Sequence, residues 1–273
     1  MDSDALVVER PFEPVRPAPF WSRISRRNWA FWGVLVALLL LWQFGAKALN
    51  QPLIIVPLTD VVQKGVDLWR QGTLPTDLAT SAEEFILGFL AGSLIGVVCG
   101  HITGYFRGVG RAIDPLVAML YAVPIIAVAP VFIIAFGLGI ESKVLIVAIE
   151  TFFCVTLTTT AGVRAIDLTF MDLSKVFGLQ RMATIWKVIV PYSVPYMLSG
   201  LRVATGRGIT AVLAAELFGA KAGIGLMILN ASTTFDTATV YLGVVIFAVV
   251  GAALTKFWYL AERRIAPWRS ATD

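Results

Sequence analysis

AEEFILGFLAGSLIGVVCGHITGY, residues 82–105, decides what class of molecule this chain is. From Phe85 onward it carries no Asp, Glu, Lys or Arg, and its length meets the roughly 20 predominantly apolar residues that a helix needs to cross a bilayer. The rest of the chain reads the same way. Of its 273 residues, 58% are apolar and 15% charged, against roughly 45–50% and about 25% in a soluble domain. Mean hydropathy is +0.80. Charges collect between apolar blocks, as expected when the solvent is lipid.

Working outward, further apolar runs lie at Ala30–Leu49, Pro115–Phe136, Val144–Val163, Pro191–Phe218 and Thr239–Leu260. The expected fold class is therefore all-α, a polytopic membrane protein of about six transmembrane helices. The first run has Trp29, Trp32 and Trp42 as interfacial anchors. It is longer than a signal-peptide core and no small-x-small cleavage site follows it, so a retained helix is expected. The sequence thus divides into a Pro-, Arg- and acid-rich arm (1–28), a first span (29–49) and a linker (50–80). A five-helix core (81–261) and a tail (262–273) follow. In the linker, Thr59 and Asp60 are expected to cap a short helix running to about Arg70.

Lys and Arg set the orientation. With the N-terminus inside, the inner segments hold Arg10, Arg16, Arg23, Arg26, Arg27, Arg107, Arg111, Arg164, Lys175, Arg181, Lys187, Lys256, Arg263, Arg264 and Arg269. The outer ones hold Lys47, Lys64, Arg70, Lys143 and Lys221, so the bias is fifteen to five. The positive-inside rule then puts both termini in the cytoplasm and the linker outside. The net charge of +4 is thereby a topology signal rather than a sign of nucleic acid. Cys99 and Cys154 sit inside apolar blocks without metal-ligand spacing, so neither a metal site nor a redox pair is expected.

Several features point to mechanism. Gly88, Gly92, Gly96 and Gly100, continued by Gly104 and Gly108, form a ladder on one helical face. Such a stripe lets another backbone approach closely, either within the subunit or across a dimer seam. Pro124 and Pro130 each remove a backbone donor, so the third span should kink there, as a pathway lining or as an inert bend. Glu150, Arg202, Arg207 and Glu216 fall inside apolar spans, where ionisable groups are functional candidates. Both arginines have Glu216 and Glu150 as available partners. His101 is read as interfacial.

The segment VRAIDLTFMDLSKVFGLQRMATIWKVIVP, residues 163–191, reads as two short helices divided by Gly178. Asp167 or Thr169 caps the first, and Gly178 supplies a left-handed turn. With Phe170, Met171, Val176, Phe177 and Ile185 exposed, such a loop calls for a partner.

This segment resembles the cytoplasmic loop of the permease subunits of binding-protein-dependent ABC importers. Their pattern is E-A-A, three residues, G, about nine residues, then I-x-L-P. Gly178 matches the glycine and Val188-Ile189-Val190-Pro191 the end. Asp172 keeps the acid, whereas Leu173 and Ser174 replace the two alanines. DPLVAMLYAVPIIAVAPVFIIAFGLG (114–139), VRAID (163–167), VPYMLSGLRVATG (194–206), AELFGAKAGIGLMILNA (215–231) and ERR (262–264) continue the likeness in collinear order. They resemble the branch that includes aliphatic sulfonate, taurine, nitrate and bicarbonate permeases.

The resemblance implies a type I ABC importer permease fold in a bacterial inner membrane. It further implies a second copy of the chain, two cytosolic ATP-binding subunits carrying ATP and Mg, and an external substrate-binding protein. It assigns Asp172, Leu173, Ser174, Lys175, Phe177, Gly178 and Pro191 to coupling with the ATPase. The chain itself has no GxxxxGK[ST] phosphate loop, so it is not expected to be an enzyme and no cofactor is expected on it. An ion-coupled secondary transporter using Glu150 and Glu216 is the alternative. HExxH and GxSxG are both missing from the sequence, which weighs against a membrane hydrolase.

Overall fold

Backbone N–H and C=O groups in hydrocarbon must be satisfied inside their own segment, and the described residues, 20–266, answer with helices and no strand. In a computed structural model the order is α1 (Phe20–Leu49), α2 (Leu58–Arg70), α3 (Thr73–Tyr105), α4 (Arg107–Tyr121), α5 (Ile125–Phe136) and α6 (Ile140–Arg164). Next come α7 (Leu168–Val176), α8 (Arg181–Thr184), a π turn (Ile185–Ile189), α9 (Val190–Gly219), α10 (Ile224–Thr233) and α11 (Thr237–Ile265). Residues 1–19 of the expected arm and 267–273 of the tail lie outside the described residues. Residues 20–28, expected in the loose arm, continue α1 instead.

Among the described residues, four helices are long and apolar enough to cross a membrane alone: Trp29–Leu49, α3, α6 and α11. Two bent pairs bring the count to six. Helices α4 and α5 meet at 94°, and the segment ending in α9 meets α10 at 52°. The single span expected at Pro115–Phe136 is thus broken. The break falls at Ala122–Pro124, where Pro124 cannot donate to the preceding turn and instead starts α5. Pro130, by contrast, sits inside α5 without ending it.

Helix α6 is the centre of the bundle. The α3 glycines lie along it in parallel register. A Cβ built on Gly88 would fall 2.6 Å from Val147 Cβ, one on Gly100 2.6 Å from Thr159 Cβ, and one on Gly104 2.6 Å from Val163 Cβ. At Gly96 the nearest atom would be the Phe152 carbonyl oxygen at 3.0 Å, and at Gly92 a Cβ would overlap the Ala148 backbone. Threonines of α6 tie the seam: Thr156 and Thr160 donate to the carbonyls of Gly96 and Gly100, and Thr160 Oγ1 lies 2.7 Å from Thr103 Oγ1.

On its other side α6 meets α9 in antiparallel register, with Gly162 against Tyr196 and Gly200 against Thr158. The apolar centre is Ile146, Val147, Ala211, Val212 and Ala215, joined by Ala129 of α5.

Helix α2 starts at Leu58 with Pro57 at the cap position and no side-chain cap. The expected Thr59/Asp60 cap does not form. The orphan amide of Thr59 is instead taken by Gln43 Oε1 of α1 at 3.1 Å, which leaves the preceding proline free to set the helix entry. At the start of α9, Pro191 has no N–H for the Lys187 carbonyl. The chain widens there to a π turn, with Val190 N–H reaching Ile185 O.

The glycine seam yields a direct test. Gly92→Leu forces two backbones apart and is expected to destabilise the chain by about 1–3 kcal/mol or more. Gly33→Leu, where a Cβ would meet nothing within 4 Å, is expected to be close to neutral. Unfolding midpoints in detergent or bicelles decide between these; equal shifts would contradict the packing.

Candidate functional site

Glu150 is a charge buried inside the bundle. Its carboxylate, 3% exposed, forms an ion pair with the Arg207 guanidinium of α9 at 2.6 Å. That guanidinium also stacks 4.7 Å above the Tyr121 ring, and Tyr121 Oη lies 3.7 Å from Cys154 Sγ. Tyr121 is the last residue of α4, so the backbone break at Ala122–Pro124 adjoins the ion pair. Irregular backbone at membrane depth is tolerated where it faces protein or a water-filled cavity. A half-exposed guanidinium with several donors beside such a break can receive an anion while Glu150 holds its orientation.

Arg202 behaves differently from the sequence expectation. It pairs with Glu262 of α11 and lies over the Tyr259 ring, not with Glu150 or Glu216. Helix α11 brings Glu262 alongside at the level of Arg202, while Glu216 is four turns further along α9. His101, read as interfacial, bridges helices: Nδ1 faces Val97 O at 2.8 Å and Nε2 faces Ser193 Oγ of α9 at 2.9 Å.

Glu216 heads a second cluster that the sequence showed only in part. It is fully buried and accepts hydrogen bonds from Ser81 Oγ at 2.6 Å and Gly225 N–H at 2.5 Å. Ser81 Oγ in turn accepts Ile224 N–H at 2.9 Å, and Asp77 Oδ1 accepts Gly223 N–H at 2.8 Å. The orphan amides that open α10 are thereby satisfied by side chains of α3 and α9. Gly223, at φ +131°, makes the corner, and a Cβ there would strike the Glu216 carboxylate.

Glu84 (1% exposed) and Lys143 (3% exposed) complete the group. Lys143, counted among outer-segment charges, is buried instead. It donates to the carbonyls of Leu138 and Gly139 at 3.0 and 3.1 Å and lies 3.7 Å from Glu84. An acid in the first half of α3 and a lysine in the first turn of α6 were the available signals. Both were masked by their nearness to span ends.

At the opposite end of α6, the segment singled out by its loop pattern folds as two helices around Gly178 (φ +66°). Asp167 caps α7, accepting Thr169 N–H and its hydroxyl, both at 2.8 Å. These bonds, the backbone one first, hold the Asp167 carboxyl below its ordinary range. The far end closes with Leu179 N–H to Ser174 O and Gly178 N–H to Lys175 O, both at 2.9 Å, the paired bonds of a Schellman ending.

Ser174 is buried and donates to Met171 O at 2.7 Å, whereas Asp172 and Lys175 pair on the surface at 2.8 Å. Met171 and Ile185, expected to be exposed, pack inward on Val163, Ile166 and Ile189: α7 turns its Met171 face to the bundle, and Ile185 opens the π turn beside it. The exposed apolar face is Phe170, Leu173, Val176 (81%), Phe177 (78%), Met182 and Trp186. Pro191, by contrast, lies in the first turn of α9, beyond the π turn.

The family model described as "Binding-protein-dependent transport system inner membrane component" matches residues 92–268. A Bacillus subtilis (strain 168) permease named for aliphatic sulfonates transport, SsuC, is 33% identical over 91% of each chain. The taurine transport system permease protein TauC of Escherichia coli (strain K12) is 30% identical, covering 90% of this chain and 91% of its own. Among solved structures, a bacterial ABC transporter involved in the import of the acidic polysaccharide alginate matches with a TM-score of 0.60 at 15% identity. It covers 90% of this chain and 99% of that one. The fold is that of type I ABC importer permeases.

Removing Arg207 would leave Glu150 buried without its cation. Arg207→Gln is expected to cost roughly 1–3 kcal/mol, between an exposed pair and a fully buried one. The Glu150→Gln/Arg207→Gln double variant is expected to recover part of that loss. A double-mutant cycle on unfolding midpoints measures it; strict additivity would contradict the pairing.

Proposed function

We propose that this chain, which belongs to the family of binding-protein-dependent transport system inner membrane components, carries a small organic anion inward and is driven by a separate ATPase. It is a membrane-embedded ABC importer permease subunit. The ATPase, the external binding protein and the solute are the proposed parts. The observation that carries the reading is the apolar face of α7. Val176 and Phe177 stand in solvent on a helix braced at both ends, by the Asp167 cap and the Gly178 turn. A rigid apolar knob of this kind fits a groove on a partner and spends little entropy on docking.

Two copies of the chain would offer one such knob each, and each ATPase of a pair would take one, with ATP and Mg held on the ATPase. Phe177 and Leu173 form the centre of the contact, the Asp172–Lys175 pair its polar rim, and Ser174 the buried brace. Nucleotide-driven closure would favour one of two packings of the permease. The bias would pass through Ile166 and Ile189 to the ends of α6 and α9, against which α7 is packed.

In the bundle, the α4–α5 break beside Arg207 is the proposed passage. Pro124 makes the break, Glu150 orients the guanidinium, and Pro130 and Arg202 serve packing. Relatives named for aliphatic sulfonates and taurine, together with that half-exposed cation, support a sulfonate-like anion as cargo. The excess of Lys and Arg in the segments that contain α7 and both termini supports a cytoplasmic side for all three in a bacterial inner membrane.

Val176→Glu with Phe177→Glu places charge at the centre of the docking face. Loss of about 2 kcal/mol or more, roughly thirty-fold in affinity, is expected. Co-purification with the cognate ATPase and uptake should both fall while the permease stays folded. Unchanged co-purification would contradict the assignment of α7.

A further inference from the structure

The cluster of Glu84, Glu216 and Lys143 holds more acid than base. From α3 come Glu84 and the half-buried Asp77, from α9 Glu216, and from α6 Lys143. Helix α10 offers only backbone amides. Glu84, Glu216 and Lys143 are each at least nine-tenths buried, and the carboxyl groups of Glu84 and Glu216 face each other. Two facing carboxylates with one ammonium between the helices cannot both stay ionised at low cost, because like charges at this range disfavour each other and burial removes the screening water.

The hydrogen bonds say which group carries the extra proton. Gly225 N–H can only donate, and it donates to Glu216. Ser81 Oγ already accepts Ile224 N–H, so its own hydrogen goes to Glu216. Both Glu216 oxygens therefore act as acceptors, which suits the ionised form. Glu84 is placed the other way. Its Oε1 lies 3.7 Å from Lys143 Nζ, beyond hydrogen-bond distance, and among the described residues no donor is directed at its Oε2. A buried carboxylate oxygen without a donor is costly, whereas a carboxylic acid there gains a proton to give.

We propose that Glu84 and Glu216 form a proton-binding site, with a neutral Glu84 donating to an ionised Glu216 balanced by Lys143. The proton closes the corner where α9 turns into α10: Glu216 and Ser81 grip the opening amides of α10, and Glu84, beside Lys143 of α6, fastens Glu216 to α3.

Infrared difference spectroscopy on the full chain in lipid nanodiscs tests it. At neutral pH the wild type is expected to show the C=O stretch of a buried protonated carboxyl, shifted by exchange into deuterated water. Glu84→Gln should remove that band, and Glu262→Gln should leave it. Thermal unfolding gives a second readout. Glu84→Gln, which keeps a donor in place of the acid proton, should change the midpoint little. Glu216→Gln, which weakens the acceptor for Gly225 and Ser81, should lower it clearly. A spectrum without the band, a band that survives Glu84→Gln, a Glu84→Gln chain that does not fold, or equal losses from the two glutamines would each overturn the proposal.

Discussion

Helix α3 lies so close to α6 that Gly92 has no room for a methyl group, and the rest of the molecule is arranged around that approach. In a bilayer no hydrophobic force draws two apolar helices together, so close van der Waals packing and interhelical hydrogen bonds must do so. Glycines every fourth residue supply the first and the α6 threonines supply the second. With α3 seated, α6 offers its opposite side to α9, and the three helices make a slab on which the less regular elements are hung.

Those irregular elements coincide with the charges. The α4–α5 break stands at Tyr121, over Arg207 and beside Glu150, and the α9–α10 corner stands at Gly223, against Glu216. The association is physical: freed backbone groups and buried ions each need polar company, and each is cheaper next to the other than in lipid. At the α10 corner the exchange is explicit, with three successive amides bound by Asp77, Ser81 and Glu216. The two clusters sit at different levels of α9 and so divide the labour, one beside the proposed passage and one fastening its end.

Much of this was legible in the chain. Apolar length announced the spans and four-residue glycine spacing announced the seam. Gly178 with Asp167 announced the braced α7, since caps and left-handed turns are local chemistry. What stayed hidden was relational. No pattern tells Arg202 to choose Glu262 over Glu150, because the choice depends on how α11 crosses α9. Lys143 looked like a loop charge because burial of a lysine near a helix start is decided by Glu84, far away in sequence. Pro124 and Pro130 looked equivalent, yet only Pro124 falls where a break has polar partners. The inward turn of Met171 on α7 and of Ile185 at the π turn stayed hidden for a related reason: periodicity identifies two faces, and the contacts of Ile166 and Ile189 decide which one turns inward.

A braced apolar knob at one end of a close-packed slab, and a broken span beside a half-exposed cation within it, together support the proposal of a permease moved by a separate partner that consumes nucleotide. The most direct measurement is solute uptake by the chain reconstituted with its ATPase and binding protein, with ATP withdrawn while the proton gradient across the membrane is held. Uptake should stop. Uptake that continues at the same rate on the gradient alone would contradict the account.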